Sequence, residues 1–164
     1  MAALGGGWTV IQRHYDYSLN FAKNWTDYTL GFGSLSANHY LGNQWIDQIV
    51  DWSSTNLPYR LAVVLEDTTG EKRTTQYQTF WLGSNYEFYY YTYNPDNDFE
   101  SGGDSMYNSN GAPFQTQDHL QGRTCSSYRS PGILQNIPIN HINENKMFCR
   151  VVVQMEVLFA MFRS

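Results

Sequence analysis

The clearest pattern in the chain lies near its end. In MFCRVVVQMEVLFAMF the odd positions Met147, Cys149, Val151, Val153, Met155, Val157, Phe159 and Met161 are all apolar, and every polar residue falls on an even one. A two-residue period puts alternate side chains on opposite faces, so the stretch predicts a strand with one buried face. A shorter alternation, WTVIQR from Trp8 to Arg13, follows three glycines and predicts a strand at the other end. Between them the period changes. In SLNFAKNWTDYTLGFG, residues Leu19, Phe21, Trp25 and Tyr28 can share one helical face, with Ser18 as N-cap and Gly31-Phe32-Gly33 as the stop. In ANHYLGNQWIDQIVDW, residues Tyr40, Leu41, Trp45, Ile46 and Ile49 form a second helical stripe, with Gly42 as a weak point inside it. YRLAVVLED and QYQTFWLG, parted by the polar TTGEKR, predict a hairpin, and YEFYYYTYN a further strand. Residues 94–113, rich in Asn, Asp, Ser, Gly and Pro, predict loops around a short Ser-Met-Tyr segment. No internal repeat is present.

These elements predict an α+β fold, mainly an antiparallel sheet with two short helices. The expected core runs from Gly5 to Phe114. Trp8, Trp25, Tyr28, Leu41, Trp45 and Phe80 are its structural anchors, and Leu61, Val63 and Leu65 form the buried face of their strand.

A length of 164 residues with 41% hydrophobic content suits one domain with a sizeable core. The net charge of −5, with no basic run, gives phosphate backbones nothing to hold, so no nucleic-acid partner is expected. The opening MAALGGG lacks a basic segment followed by an apolar run, so no signal peptide is expected there. The apolar window 147–162 is too short for a membrane span and carries Arg150, Gln154 and Glu156. Aromatic residues make up 16% of the chain, a balance that leans toward β-rich extracellular modules.

Candidate chemistry is sparse. His14, His39, His119 and His141 are dispersed with no metal-ligand spacing, and neither Cys125 nor Cys149 sits in a nucleophile motif, so no enzyme is expected. The two cysteines allow one bridge at most, and their spacing leaves bridge and free thiols both open. Asp96, Asp98 and Glu100 begin like a calcium loop, but Gly102 falls one place late and Tyr107 stands at the twelfth position, which reads as a solvated turn. Asn24 opens a glycosylation sequon, Asn-Trp-Thr; its place inside the predicted helix beside Trp25 argues against modification. The alternating tyrosines of residues 86–93 could stack on a sugar, but packing within a sheet explains them better.

Five ordered blocks resemble the fibrinogen-like domain found at the C-terminal end of fibrinogen chains, ficolins, tenascins and angiopoietins. GGGWTVIQRH is similar to that family's GGWTVIQRR entry strand, and DYSLNFAKNWTDYTLGFG to its DGSVDFxRxWxxYxxGFG. HYLGNQWI resembles FWLGNxxI, YRLAVVLED resembles LRVxLxD, and GGDSMYNSNGAPFQTQD resembles AGDSLxxHNGxxFSTxD. The resemblance covers residues 5–118 as a fibrinogen-like core and implies a non-enzymatic extracellular recognition module that binds glycans, acetylated groups or proteins.

Beyond Asp118 the pattern departs. The family continues as DxDNDxxxxNC, whose two later aspartates hold calcium, whereas QDHLQGRTC puts Leu120 and Gly122 there. A hard cation needs several oxygen ligands, so calcium binding is expected to be lost and no other cofactor is implied. The GGWWYxxC block and ligand pocket have no counterpart in residues 119–146, a divergent loop region, so the calcium and ligand subdomain is expected to be largely missing and binding impaired. Without that block the cysteine matched by Cys125 lacks its family partner, which implies two free thiols. VVQMEVLF, within the probable closing strand 147–162, resembles the family's VSEMKVRP. The chain then reads as a domain with an internal deletion, or as a truncated one with an unrelated tail. The alternative function is a structural remnant without ligand binding.

Overall fold

The computed structural model describes residues 7–50, 59–66, 70–83, 86–91, 112–116, 118–119 and 154–161. The chain forms β1 (Trp8–His14), α1 (Trp25–Leu30), β2 (Phe32–Gly33), β3 (His39–Tyr40) and α2 (Asn43–Ile49). It continues with β4 (Tyr59–Glu66), β5 (Lys72–Leu82), β6 (Glu87–Tyr91), β7 (Ala112–Pro113) and β8 (Gln154–Met161). The strands make one sheet in the order β2-β3-β1-β8-β4-β5-β6-β7, and every pairing in it is antiparallel. The architecture is α+β, a mainly antiparallel sheet with two short helices.

The last strand in the chain is a central one in the sheet. β8 lies between β1 and β4, with Val157 opposite Gln12 on one side and Val63 on the other. It therefore joins the N-terminal strands to the β4–β5–β6 meander, a long-range closure made late in the chain. Between Val10 and Gln12 the register shifts by one residue, so Ile11 is the extra residue of a bulge. The Ile11 carbonyl there accepts the N–H of Leu41 at 2.8 Å, fixing the chain as it leaves β3. In β4, Leu61 and Val63 are buried, and their cross-strand partners Tyr77 and Thr75 are buried with them. Ala62 is buried as well, so at that point the strand is covered on both faces rather than the single face the alternation predicts. The side chain of Leu65 lies outside the description.

Both helices are shorter than the sequence predicts. α1 begins at Trp25 with Asn24 as its N-cap, whose Oδ1 accepts the Asp27 N–H at 2.8 Å. Ser18 is not the cap. Asp16 Oδ1 accepts both its N–H at 2.9 Å and its hydroxyl at 2.6 Å, and Asn20 Oδ1 accepts the Ala22 N–H at 2.8 Å. These Asx turns satisfy the backbone locally and hold residues 15–24 out of a helix. α2 begins after Gly42, whose φ of 110° makes it the entrance and not an interior weak point. Tyr40, assigned to the helical stripe, lies in β3 instead.

The core is unusually aromatic. Tyr28, Tyr40, Tyr59, Tyr77 and Phe80 are fully buried beside Ile11, Ile46 and Leu61. Tyr28 is the hub, with ring centroids 4.8 Å from Tyr40, 5.0 Å from Phe32 and 5.1 Å from Phe114. Its hydroxyl donates to the Phe21 carbonyl at 2.9 Å, so the ring is buried without an orphaned donor. Trp8, Trp25 and Leu41 are half-buried. Trp45, expected in the core, is 46% exposed, because the shortened α2 turns Ile46 inward and leaves its neighbour at the rim.

Candidate functional site

Two features lie around α1: a polar corner at its N-terminus and an apolar groove at its C-terminus. The corner is made by Thr116 and His119, which exchange backbone hydrogen bonds of 3.2 and 3.1 Å as an isolated antiparallel bridge. Asp118 stands between them. Its Oδ1 accepts the Thr116 hydroxyl at 2.8 Å and the backbone N–H of Trp25 at 2.9 Å. The first N–H groups of a helix have no partner within it, so Asp118 and the Asn24 cap satisfy two of the α1 donors between them. The Thr116 hydrogen bond is the main reason the Asp118 carboxyl lies below its ordinary range; slight desolvation opposes this and the Trp25 N–H adds to it. The His119 ring stacks on the Trp25 indole at 3.9 Å, with Phe114 and Tyr86 on the same indole at 6.1 and 5.8 Å. Chemically the corner is a brace, an anion holding a helix start.

The groove has a volume of about 410 Å³ and is lined by Leu30, Phe32, Leu35, Tyr40, Leu41 and Trp45 around Gly31 and Gly33. Glycine builds its floor. A Cβ on Gly31 would lie 2.2 Å from the Leu41 carbonyl oxygen, and one on Gly42 would lie 2.7 Å from the Leu30 carbonyl carbon. The GFG and LGN segments thus pack backbone against backbone, a contact only glycine permits. The Trp45 indole N–H donates to the Leu30 carbonyl at 3.3 Å and bridges the rim. Leu30 is 55% exposed and Leu35 71%. Among the described residues that line the groove, His39 is buried with its ring nitrogens against the Ala37 and Val10 carbonyls.

Among the described residues no group of three or more His, Cys, Asp or Glu gathers as a metal site. No described helix is long and apolar enough to cross a membrane. Leu120, Gly122, Cys125, Cys149, His141, Asp96, Asp98 and Glu100 lie outside the described residues. Asn24 is exposed at the N-cap, not inside a helix. The link from Asp118 to Trp25 and the stack of His119 on Trp25 escape a sequence reading. The Thr-x-Asp spacing at Thr116 is the one local signal that Asp118 would turn back on its own chain.

The fold and this aromatic arrangement define a fibrinogen-like globe. Residues 1–138 match the family of fibrinogen beta and gamma chains, C-terminal globular domain. The chain belongs to that family. It is 36% identical over 130 residues to Angiopoietin-related protein 2 of Homo sapiens, covering 77% of this chain and 25% of that protein. Over 93 residues it is 46% identical to the Fibrinogen gamma chain of Xenopus laevis, covering 54% of this chain and 21% of that one. The chain thus spans about a quarter or less of the length of these relatives. Among solved structures, the fibrinogen-like globe domain of human ANGPTL2 superposes with a TM-score of 0.72 at 25% identity, covering 94% of this chain and 80% of that one. A lamprey fibrin D-dimer complexed with the peptide ligand Gly-His-Arg-Pro-amide superposes with a TM-score of 0.58 at 29% identity, covering 74% and 43%.

Proposed function

We propose that this chain is a non-enzymatic extracellular recognition module of fibrinogen-like type, acting on a protein or peptide partner, and that it has lost calcium-supported recognition. The observation that carries the reading is the engagement of Asp118. The carboxylate at the entrance to the family's calcium loop is bonded to Thr116 and to the start of α1. The positions where the resemblance calls for calcium carboxylates hold Leu120 and Gly122. A hard cation there would meet one carboxylate, Asp118, already engaged by Thr116 and Trp25, where it needs several oxygen ligands. A protein or peptide partner is favoured over a sugar because the groove is mostly apolar and offers few of the convergent polar groups that fix a small polar ligand. A structural relative points the same way, since the lamprey fibrin D-dimer is complexed with a peptide ligand.

The test is titration of the secreted chain with Gly-His-Arg-Pro-amide, in millimolar calcium and again in excess chelator. The expected result is the same isotherm in both, whether flat or binding. Binding that appears only with calcium would overturn the loss of calcium-supported recognition. A chain that cross-links to no protein of the extracellular medium would favour the structural remnant instead.

A further inference from the structure

We propose that Asn24 is an N-linked glycosylation site, its carboxamide nitrogen presented to solvent by its own helix cap. The inference rests on the extracellular reading above, because only a chain that enters the secretory route meets the transferase. Asn24-Trp25-Thr26 meets the sequence requirement. Inside a helix beside a core tryptophan it would be a poor acceptor, but the structure puts it elsewhere. Asn24 precedes α1 in extended backbone, φ −83° and ψ 175°. Both Asn24 and Thr26 are exposed, whereas the intervening Trp25 turns its ring onto His119 and Phe114. The cap sorts the two ends of the side chain. Oδ1 is occupied by the Asp27 N–H at 2.8 Å, and Nδ2, the atom that takes the sugar, has no partner among the described residues. Modification therefore removes no interaction described in the fold, since an N-glycosylated asparagine keeps its carbonyl oxygen as the cap acceptor.

The reaction needs a polyprenyl-diphosphate-linked oligosaccharide as donor. The Asn24 nitrogen forms a bond to the sugar C1, and the bond from C1 to the diphosphate oxygen breaks. The diphosphate leaves with the electron pair, and one amide proton passes to a base of the transferase. Nothing is oxidised or reduced.

The full chain behind a secretion signal, with a reporter sequon appended after Ser164, is translated in the presence of microsomes. The reporter's own sugar identifies the translocated molecules. These should carry a second sugar, located at Asn24 by mass spectrometry after glycosidase release, which converts the asparagine to aspartate. Thr26→Ala and Asn24→Asp should each abolish it completely. Asn24→Asp should also leave thermal stability unchanged, because aspartate caps as well as asparagine. Translocated molecules that carry only the reporter's sugar would overturn the site without touching the extracellular reading.

Discussion

The carboxylate of Asp118 accepts the backbone N–H of Trp25 at 2.9 Å across 93 residues of sequence. α1 has only six residues, too few to be stable alone, and no basic residue in its last turn. Its start is therefore fixed from outside, by Asn24 locally and by Asp118 from the far end of the β6–β7 excursion. The His119 ring, one residue on, closes over the same tryptophan. Asp118 and His119 are thus part of the scaffold around α1.

Replacing Asp118 by Ala removes a cap-like acceptor and should destabilise the fold by about 1 kcal/mol. Asp118→Asn keeps an acceptor and should lose less. The pH dependence separates charge from geometry. The folded-state carboxyl lies below its ordinary range, so its contribution is present above the unfolded value of about 3.9 and is lost as pH falls through the folded one. Urea midpoints of wild type and Asp118→Asn should differ near neutral pH and converge in acid. A constant offset down to pH 3 would show that the charge contributes nothing.

Gly31 and Gly42 should resist substitution far more than Gly70. All three have positive φ, at 91°, 110° and 86°, but a Cβ on Gly31 or Gly42 meets backbone under 3 Å away, and one on Gly70 meets nothing within 4 Å. Gly70→Ala should cost about 1 kcal/mol, the conformational term alone. Gly31→Ala and Gly42→Ala should each lose about 3 kcal/mol or more, as strain adds to a clash that only backbone movement relieves. Equal losses at all three would mean that the GFG and LGN segments do not pack as described.

The sheet was legible because alternation is a local signal: β4 and β8 lie within segments read as strands, β1 runs one residue past its segment to His14, and β5 contains most of QYQTFWLG but starts at Lys72, inside the stretch read as a turn. Leu61 and Val63 fall on the buried face, and Tyr28 and Phe80 in the core, as their periods require. The helix limits were not legible, since a competing Asx turn at Asp16 and a positive φ at Gly42 outweigh apolar spacing. Trp45 was misplaced for the same reason, because a helix that starts later presents a different face. The Asp118 corner was hidden because it joins residues far apart in sequence. Periodicity carries no information about such a pair.

Tyr40 and Asn43 form a buried polar pair, with the tyrosine hydroxyl donating to Asn43 Oδ1 and Asn43 Nδ2 unpaired among the described residues. Asn43→Ala strands the hydroxyl and should cost about 2 kcal/mol, whereas adding Tyr40→Phe should restore part of it, a coupling that a double-mutant cycle reads directly. Burial raises the Tyr40 and Tyr28 hydroxyls well above the ordinary tyrosine value. Folding favours their neutral forms, so their contribution is complete below about pH 10 and is lost as pH rises beyond it. Absorbance of tyrosinate at high pH should thus appear partly in step with unfolding, monitored by circular dichroism. Full tyrosine ionisation while the fold persists would contradict the burial of both rings.

Calcium should leave the stability of this chain unchanged. A ligand at 100 times its dissociation constant raises native-state stability by about 2.7 kcal/mol, which in a chain of this size moves the unfolding midpoint by several degrees. Thermal unfolding in millimolar calcium and in excess chelator should therefore superpose if the family site is lost. The expectation rests on Leu120 and Gly122 replacing carboxylates and on Asp118 being held by Thr116 and Trp25. The variants identify the source of any contrary result. A calcium-dependent rise abolished by Asp118→Ala would show that this carboxylate can leave α1 for a metal. A rise abolished by Asp96→Ala or Asp98→Ala would instead place a cation in the loop whose alternating carboxylates begin like a calcium-binding turn.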